Sequence, residues 1–289
     1  MKKGSISLRC ALLGISRDTY YQFPKRTAAR KERDEPVTRE LRRIAETKKF
    51  KLGIRTLTMA YNRAHHAAGV VINHKKVARI KREYNIPTKI RRKHSKRPEQ
   101  PKRTENVCLP GNIVDRRFNV PTPFRCVGTD VTYLWLPRLG RFAYASLARD
   151  FATGEYLGWS LSLHNDQELV DTTLADIEHR HGSDIFTSLV YHMDRGGTYT
   201  PKHFLSDMLG VRGITPSMSR KGNCIDNVPT ESGHGHLKDW LDLSQCTSLD
   251  EAREVLDSVI HYFNDERPQW HRKKMTPVEY RDHLLTTAT

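Results

Sequence analysis

The chain changes character near residue 105, and that change limits what it can fold into more than any single motif does. Residues 1–105 hold 30 Lys and Arg against 9 Asp and Glu, a net of +21, while the remainder holds 19 against 24, a net of −5. The first part reads as helices with basic faces, and the second as alternating apolar and β-branched runs broken by turn residues. One core does not use both patterns, and 289 residues with 37% hydrophobic content suffice for one full core with one or two small satellites. A basic binding region ahead of a mildly acidic body points to a polyanionic partner, and a uniformly solvated surface does not explain such a split.

Within the basic part, Ser7 to Tyr21 predicts a short helix, a turn at Gly14 and a second helix capped by Ser16, the outline of a helix-turn-helix. A second helical unit spans Val37 to Thr47, Ile54 to Ala68 and Asn73 to Tyr84. On its last helix Val77, Ile80 and Tyr84 recur at core spacing. Lys75, Arg79 and Arg82 fall on another face, as a helix docked in a major groove requires. Thr88 to Asn112 is rich in Pro, Lys and Arg, including Arg91, Arg92 and Lys93, and predicts an extended linker that lies along phosphates. The expected organisation is therefore 1–35 helix-turn-helix-like, 36–87 helical and DNA-binding, 88–112 linker, and 113–289 core.

The core pattern predicts strands at Arg125 to Leu136, Phe142 to Arg149 and Glu155 to Leu163, then a helix from Asp166 to His181. A strand at Ser188 to His192, a helix at Pro201 to Leu209, a short strand at Gly213 to Met218, a helix after Asp226-Asn227 and another from Leu249 to Phe263 follow. The order β-β-β-α-β-α-β-α describes a mixed sheet covered by helices, the ribonuclease H-like arrangement. Three carboxylates stand in separate contexts within it: Asp130 on the first strand, Asp194 after the fourth, and Glu231 at the start of a helix. Acidic oxygens inside a nucleic-acid-binding chain suit divalent-metal chemistry on phosphodiesters.

Longer stretches carry a resemblance. Gly128-Thr129-Asp130-Val131-Thr132-Tyr133, Asp194-Arg195-Gly196-Gly197, Ser217-Met218-Ser219-Arg220-Lys221-Gly222-Asn223-Cys224 with Asp226-Asn227, and Tyr262-Phe263-Asn264-Asp265-Glu266-Arg267-Pro268 with Met275-Thr276-Pro277 are their anchors. On these the chain resembles the integrase-core transposases of bacterial insertion sequences, most closely the downstream reading-frame product of the insertion sequence three family. The resemblance implies an α/β fold, a ribonuclease H-like integrase core with a mixed five-stranded sheet, preceded by all-α helix-turn-helix-like domains. It implies Asp130, Asp194 and Glu231 as catalytic residues and ligands of two Mg²⁺ or Mn²⁺ ions. The activity implied is cleavage of element ends and strand transfer, by an oligomer on DNA, with an upstream-frame protein as partner or fusion. Arg220, Lys221 and Lys238 join the expected DNA contacts.

Two departures accompany the resemblance. The 36 residues between Asp194 and Glu231 are one more than the family's usual spacing, which places an insertion in the Met208 to Gly213 loop. Ser232-Gly233-His234-Gly235-His236 replaces the family's aromatic residues, and each glycine weakens the helix by up to about 1 kcal/mol. Asp226 is a rival third carboxylate, although a helix cap needs no catalytic role. Asp150 reads as structural. The histidine groups His65-His66, His179/His181 and His234/His236 lack the cysteine partners of a zinc site, and Cys10, Cys108, Cys126, Cys224 and Cys246 form no CxxC pair. No signal-peptide or membrane-spanning run is present, so the expected location is the cytoplasm, on the nucleoid. The alternative functions are an inactive DNA-binding remnant or transposition repressor, and a ribonuclease acting on RNA-DNA hybrids. The second leaves the long basic region unexplained.

Overall fold

The structure, a computed structural model, describes residues 5–89, 109–201, 204–220 and 223–287. It divides into two compact units, Met1–Lys89 and Ile90–Thr289. Arg91, Arg92 and Lys93, most of the expected linker, and Lys221 lie outside the described residues.

Among the described residues the first unit holds four α-helices, α1 (Ile6–Leu13), α2 (Arg17–Thr47), α3 (Ile54–Ala64) and α4 (His74–Glu83). Ser5 accepts a hydrogen bond from the backbone N–H of Leu8 and starts α1, and Gly14 ends it at φ 61°, the left-handed conformation a glycine adopts without strain. Ser16 accepts from Thr19 N–H and starts α2, as expected. The separate helix expected from Val37 does not exist, because α2 runs unbroken through Pro24 and Pro36. Each proline removes one backbone hydrogen bond, a cost the packed second half of α2 offsets by burying Leu41 and Ala45. Leu41, Leu57, Val77 and Ile80 are fully enclosed, each contributing roughly 1.5–3 kcal/mol of transfer free energy. Asn62 bonds both backbone groups of Ile72, which fixes the connection from α3 to α4, and Asn73 caps α4 by accepting from Lys75 N–H.

The second unit is built on a five-stranded sheet in the order β3-β2-β1-β4-β5, with β1 (Cys126–Leu136), β2 (Arg141–Asp150), β3 (Tyr156–Ser162), β4 (Val190–Met193) and β5 (Thr215–Met218). β1, β2 and β3 pair antiparallel as a meander, and β4 and β5 are added in parallel. Helix α5 (Gln167–His181) begins at Asp166, whose side chain accepts from Leu169 N–H. It lies close on β3, since a Cβ on Gly158 would stand 2.5 Å from Ile177 Cγ1. On that face Val127, Leu157, Val170, Leu174, Ile177 and Tyr191 form one apolar cluster. The opposite face buries Leu134, Leu136, Ala145 and Leu147 against Leu237, Leu256 and Ile260 of α6 (Val228–Trp240) and α7 (Leu249–His261). Alternate residues of β1 thus enter two different cores, as its period of two requires.

Two further differences from the sequence reading have physical causes. In place of a regular helix ending at Leu209, residues Phe204–Gly210 wind as a π-helix. A π turn absorbs one extra residue, and it lies beside the loop where the spacing called for one. The expected helix to Phe263 ends at His261, a π turn follows over Tyr262–Glu266, and a further helix α8 (Pro277–Thr287) closes the unit.

Candidate active site

Sheet register brings the first two carboxylates level. In the parallel pair β1/β4, Gly128 stands opposite His192, so Asp130 and Asp194 lie two residues beyond that pair on adjacent chains. Gly128 and Asp130 point to the same face, the one that α6 covers. A Cβ at Gly128 would meet Thr230 Oγ1 at 2.2 Å and the Phe151 ring at 2.4 Å, so glycine here permits α6 to seat on β1. Helix α6 consequently carries Glu231, in its first turn, to the same end of the sheet.

The electrostatics agree with that convergence. The Asp130 carboxyl is pushed well above the usual carboxylate range by burial, then by the negative charges of Asp194 and Glu231, against one backbone hydrogen bond and the Lys238 charge. Glu231 is also raised, by desolvation and by Asp194, although its side chain is exposed. Asp194 accepts from Gly196 N–H at 2.7 Å. Three mutually repelling carboxylates at one end of a sheet leave a negative charge that a cation relieves, the donor chemistry suited to Mg²⁺ or Mn²⁺. Among the described residues no three His, Cys, Asp or Glu side chains are already closed into a metal-holding group.

Asp226 is a different case. It is fully buried and accepts from Arg116 Nε (2.9 Å), Asn112 Nδ2 (3.1 Å), and the backbone N–H, Nε and Nη2 of Arg220 (3.0, 2.8 and 2.8 Å). Arg220 above all holds it far below the usual range, and every acceptor direction is used. Neither Asp226 nor Asn227 caps α6 with its side chain. Asp150 is likewise internal, accepting from Phe124 N–H and from the N–H and hydroxyl of Thr153.

Two neighbours of the carboxylates were not legible in the sequence. Arg149 on β2 donates to the carbonyl oxygens of Gly154 and Pro229, clamping the first turn of α6. A Cβ on Gly233 would meet Arg149 Nη1 at 2.9 Å, so this glycine makes room for the clamp, and α6 keeps its full length despite it. His234 is buried beside Asp130, its Nδ1 3.9 Å from Oδ2. Burial, then Lys238 and Arg149, lower its pKa to about 3, so the imidazole is neutral. Only the apolar spacing of β1 and α6, which faces the two elements toward each other, offered a signal for either residue.

The expected DNA contacts divide. Lys75 and Arg82 are exposed on α4. Arg79 turns inward to buried Asp34 (2.7 Å), which Lys76 also pairs at 3.1 Å, and to Glu83 at 3.0 Å. Burial raises the Asp34 pKa, but the two cations outweigh it and the net shift is downward. Arg220 is committed to Asp226 while remaining 48% exposed, and Lys238 Nζ lies 5.5 Å from the Tyr133 ring centre.

Comparison with known proteins gives matches along most of the chain. The integrase core domain matches residues 121–224 and, in a second form, 212–277, and an HTH-like domain matches residues 31–94. The chain is 29% identical over 276 residues to InsK of insertion sequence element IS150 from Escherichia coli (strain K12), a transposase by its given name, covering 93% of this chain and 90% of that one. It is 25% identical over 283 residues to the 31 kDa protein of insertion element IS600 from Shigella sonnei, covering 94% and 97%. Among solved structures, the magnesium-bound HTLV-2 integrase catalytic core domain aligns at 14% identity with a TM-score of 0.44, over 55% of this chain and 97% of that one. The second unit has the integrase-core fold, ribonuclease H-like with a mixed five-stranded sheet, the HTH-like domain precedes it, and the homologues are insertion-sequence transposases. No helix among the described residues is long and apolar enough to cross a membrane.

Proposed function

We propose that this chain is the transposase of a bacterial insertion sequence, a downstream reading-frame product of the insertion sequence three family. In this reading it binds the element ends and catalyses metal-dependent DNA strand cleavage and strand transfer. The observation that carries it is the convergence of Asp130, Asp194 and Glu231 at one end of the integrase-core sheet, with Asp130 raised in pKa by burial and then by Asp194 and Glu231, and Glu231 raised by burial and then by Asp194. Asp130, Asp194 and Glu231 would hold two divalent cations, Mg²⁺ or Mn²⁺, which when bound supply activation of the attacking hydroxyl and stabilisation of the departing oxygen.

The protein residues supply placement. Asp130 and Asp194 keep their mutual level through strand pairing, and Arg149 holds the helix that brings Glu231. Lys238, two turns beyond Glu231, stands where it would meet the phosphate backbone. No side chain need form a covalent bond to DNA: water as attacker gives a nick, and a DNA 3′-hydroxyl gives strand transfer. Lys75 and Arg82 of α4, with Arg91, Arg92, Lys93 and Lys221, supply salt-dependent affinity for the ends. The working form is a homo-oligomer on two DNA ends, acting on the nucleoid in the cytoplasm, with an upstream-frame protein as partner or fusion. The domain limits proposed are 1–35, 36–87, 88–112 and 113–289.

The test is strand cleavage and joining on a duplex carrying the element's own end, with Mg²⁺ or Mn²⁺, comparing the native chain with Asp194→Asn. Metal-dependent products that vanish in the variant are expected. If both proteins shift the duplex in a gel and neither cuts, even with the upstream protein added, the inactive DNA-binding remnant replaces this reading.

A further inference from the structure

His234 lies one turn beyond Glu231, so the two share a side of α6. Its side chain is 5% exposed, yet neither ring nitrogen has a hydrogen-bond partner among the described residues. Buried imidazoles ordinarily use both nitrogens, one as donor and one as acceptor, because water cannot reach them. The helix leaves the ring little freedom to move away: Thr230 packs over Gly128, Gly233 abuts Arg149, and Leu237 is locked in the apolar cluster below. The ring therefore enters the layer of Asp130, and its Nδ1 stops 3.9 Å from Oδ2. That separation is about 1 Å longer than a hydrogen bond. Hydrogen bonds at reacting centres are often long before the site is loaded and tighten afterwards.

We propose that His234 is a positioning residue, whose Nδ1–H donates to Oδ2 of Asp130 and turns the other carboxylate oxygen toward the divalent cation. The inference rests on the reading of Asp130 as a metal ligand given above. A carboxylate ligand with no outer donor rotates freely between its two oxygens, and a donor behind it selects one. Residues in this outer role typically change metal affinity by about 10- to 100-fold when removed.

The experiment is Mn²⁺ binding to the full chain without DNA, followed by electron paramagnetic resonance, for the native protein, His234→Phe, His234→Gln and Asp130→Asn. Phe keeps an aromatic ring in the packing and removes the donor, and Gln keeps an N–H. We expect His234→Phe to weaken Mn²⁺ binding about 10-fold or more with its urea midpoint close to native, and His234→Gln to recover most of the loss. If the Phe variant fails to fold, His234→Met compared with His234→Gln decides on the same scale. Native affinity in the variant lacking the donor overturns the proposal, leaving His234 as a packing residue. A nitrogen coupling from a directly bound imidazole on Mn²⁺ overturns it too, in favour of a metal ligand. Asp130→Asn separates the two readings: native affinity there means that Asp130 holds no ion, whereas loss there with no effect at His234 sinks only the present inference.

Discussion

Asp226 and Asp130 are both aspartates on the face of the sheet that carries α6, and they are treated in opposite ways. Asp226 is surrounded by two guanidiniums, an amide and a backbone N–H, and is held far below its ordinary range. Asp130 receives one backbone hydrogen bond, faces two further carboxylates, and is pushed above its range, first by burial. The first arrangement joins residues 112, 116, 220 and 226 into one loop framework and leaves nothing to bind. The second withholds donors where a stable fold would supply them, which is what the metal-ligand role proposed for Asp130 calls for. Glu155 falls between: buried, it pairs with Arg281 at 2.6 Å through Oε1, while Oε2 has no hydrogen-bond partner among the described residues, and burial raises its pKa to about 7.

The contrast breaks first at its stable end. Asp226→Ala should destabilise the chain by about 3 kcal/mol in urea unfolding, near the lower limit for removing one member of a buried ion pair because Arg116 and Arg220 are half-exposed and can hydrate. An effect below about 1 kcal/mol would mean that the framework is decorative. Glu155 sharpens the middle case through pH. Its carboxyl has a higher pKa folded than unfolded, so the folded state binds the extra proton. Its contribution is then complete below about pH 4.5 and declines as the pH rises through about 7. Stability should fall over that window by about 3 kcal/mol, and Glu155→Gln should flatten the slope. An unchanged slope in the variant would assign the pH dependence elsewhere.

At the reactive end, Asp130→Asn removes one of three repelling charges. It should raise the urea midpoint in the presence of a chelator by the equivalent of about 1 kcal/mol, while metal-dependent cleavage disappears. A loss of stability would place Asp130 with Asp226 among the structural carboxylates. The smallest effect concerns the helix beneath them. Gly235 has open space where a Cβ would go, so Gly235→Ala should stabilise by roughly 0.5–1 kcal/mol, whereas Gly233→Ala, against Arg149, should destabilise. Equal behaviour of the two variants in thermal melts would remove the clamp from the account.

Local pattern carried most of the core. Alternation and the turn at Gly140 located β1 and β2 to within a residue, and the Asp166 cap located the start of α5. Cap residues also placed the starts of α2 and α4, at Ser16 and Asn73. Legibility failed where a single residue outweighs its neighbours: Pro36 reads as a boundary, yet α2 passes through it because Leu41 and Ala45 are fully packed on the far side. It failed again where contacts span long stretches of chain. Asp130, Asp194 and Glu231 could be named from their contexts, but nothing at short range joins Arg116 to Asp226 or Arg149 to Pro229. The inward turn of Arg79 depended on Asp34, an acidic residue in a different helix.

The parallel pairing of β1 with β4 has a consequence for how the site tolerates change in length. Backbone hydrogen bonds between adjacent strands set the level of Asp130 against Asp194, so the path from residue 195 to residue 214 carries no responsibility for it. That path already includes a π turn. Glu231 reaches the sheet end through the seating of α6 on Gly128 and the grip of Arg149, both of which act downstream of the same excursion. A change of length in that excursion therefore leaves the level of Asp130 against Asp194 untouched, and its limit is set instead by Tyr199, Phe204 and Leu209, which anchor the excursion in the core.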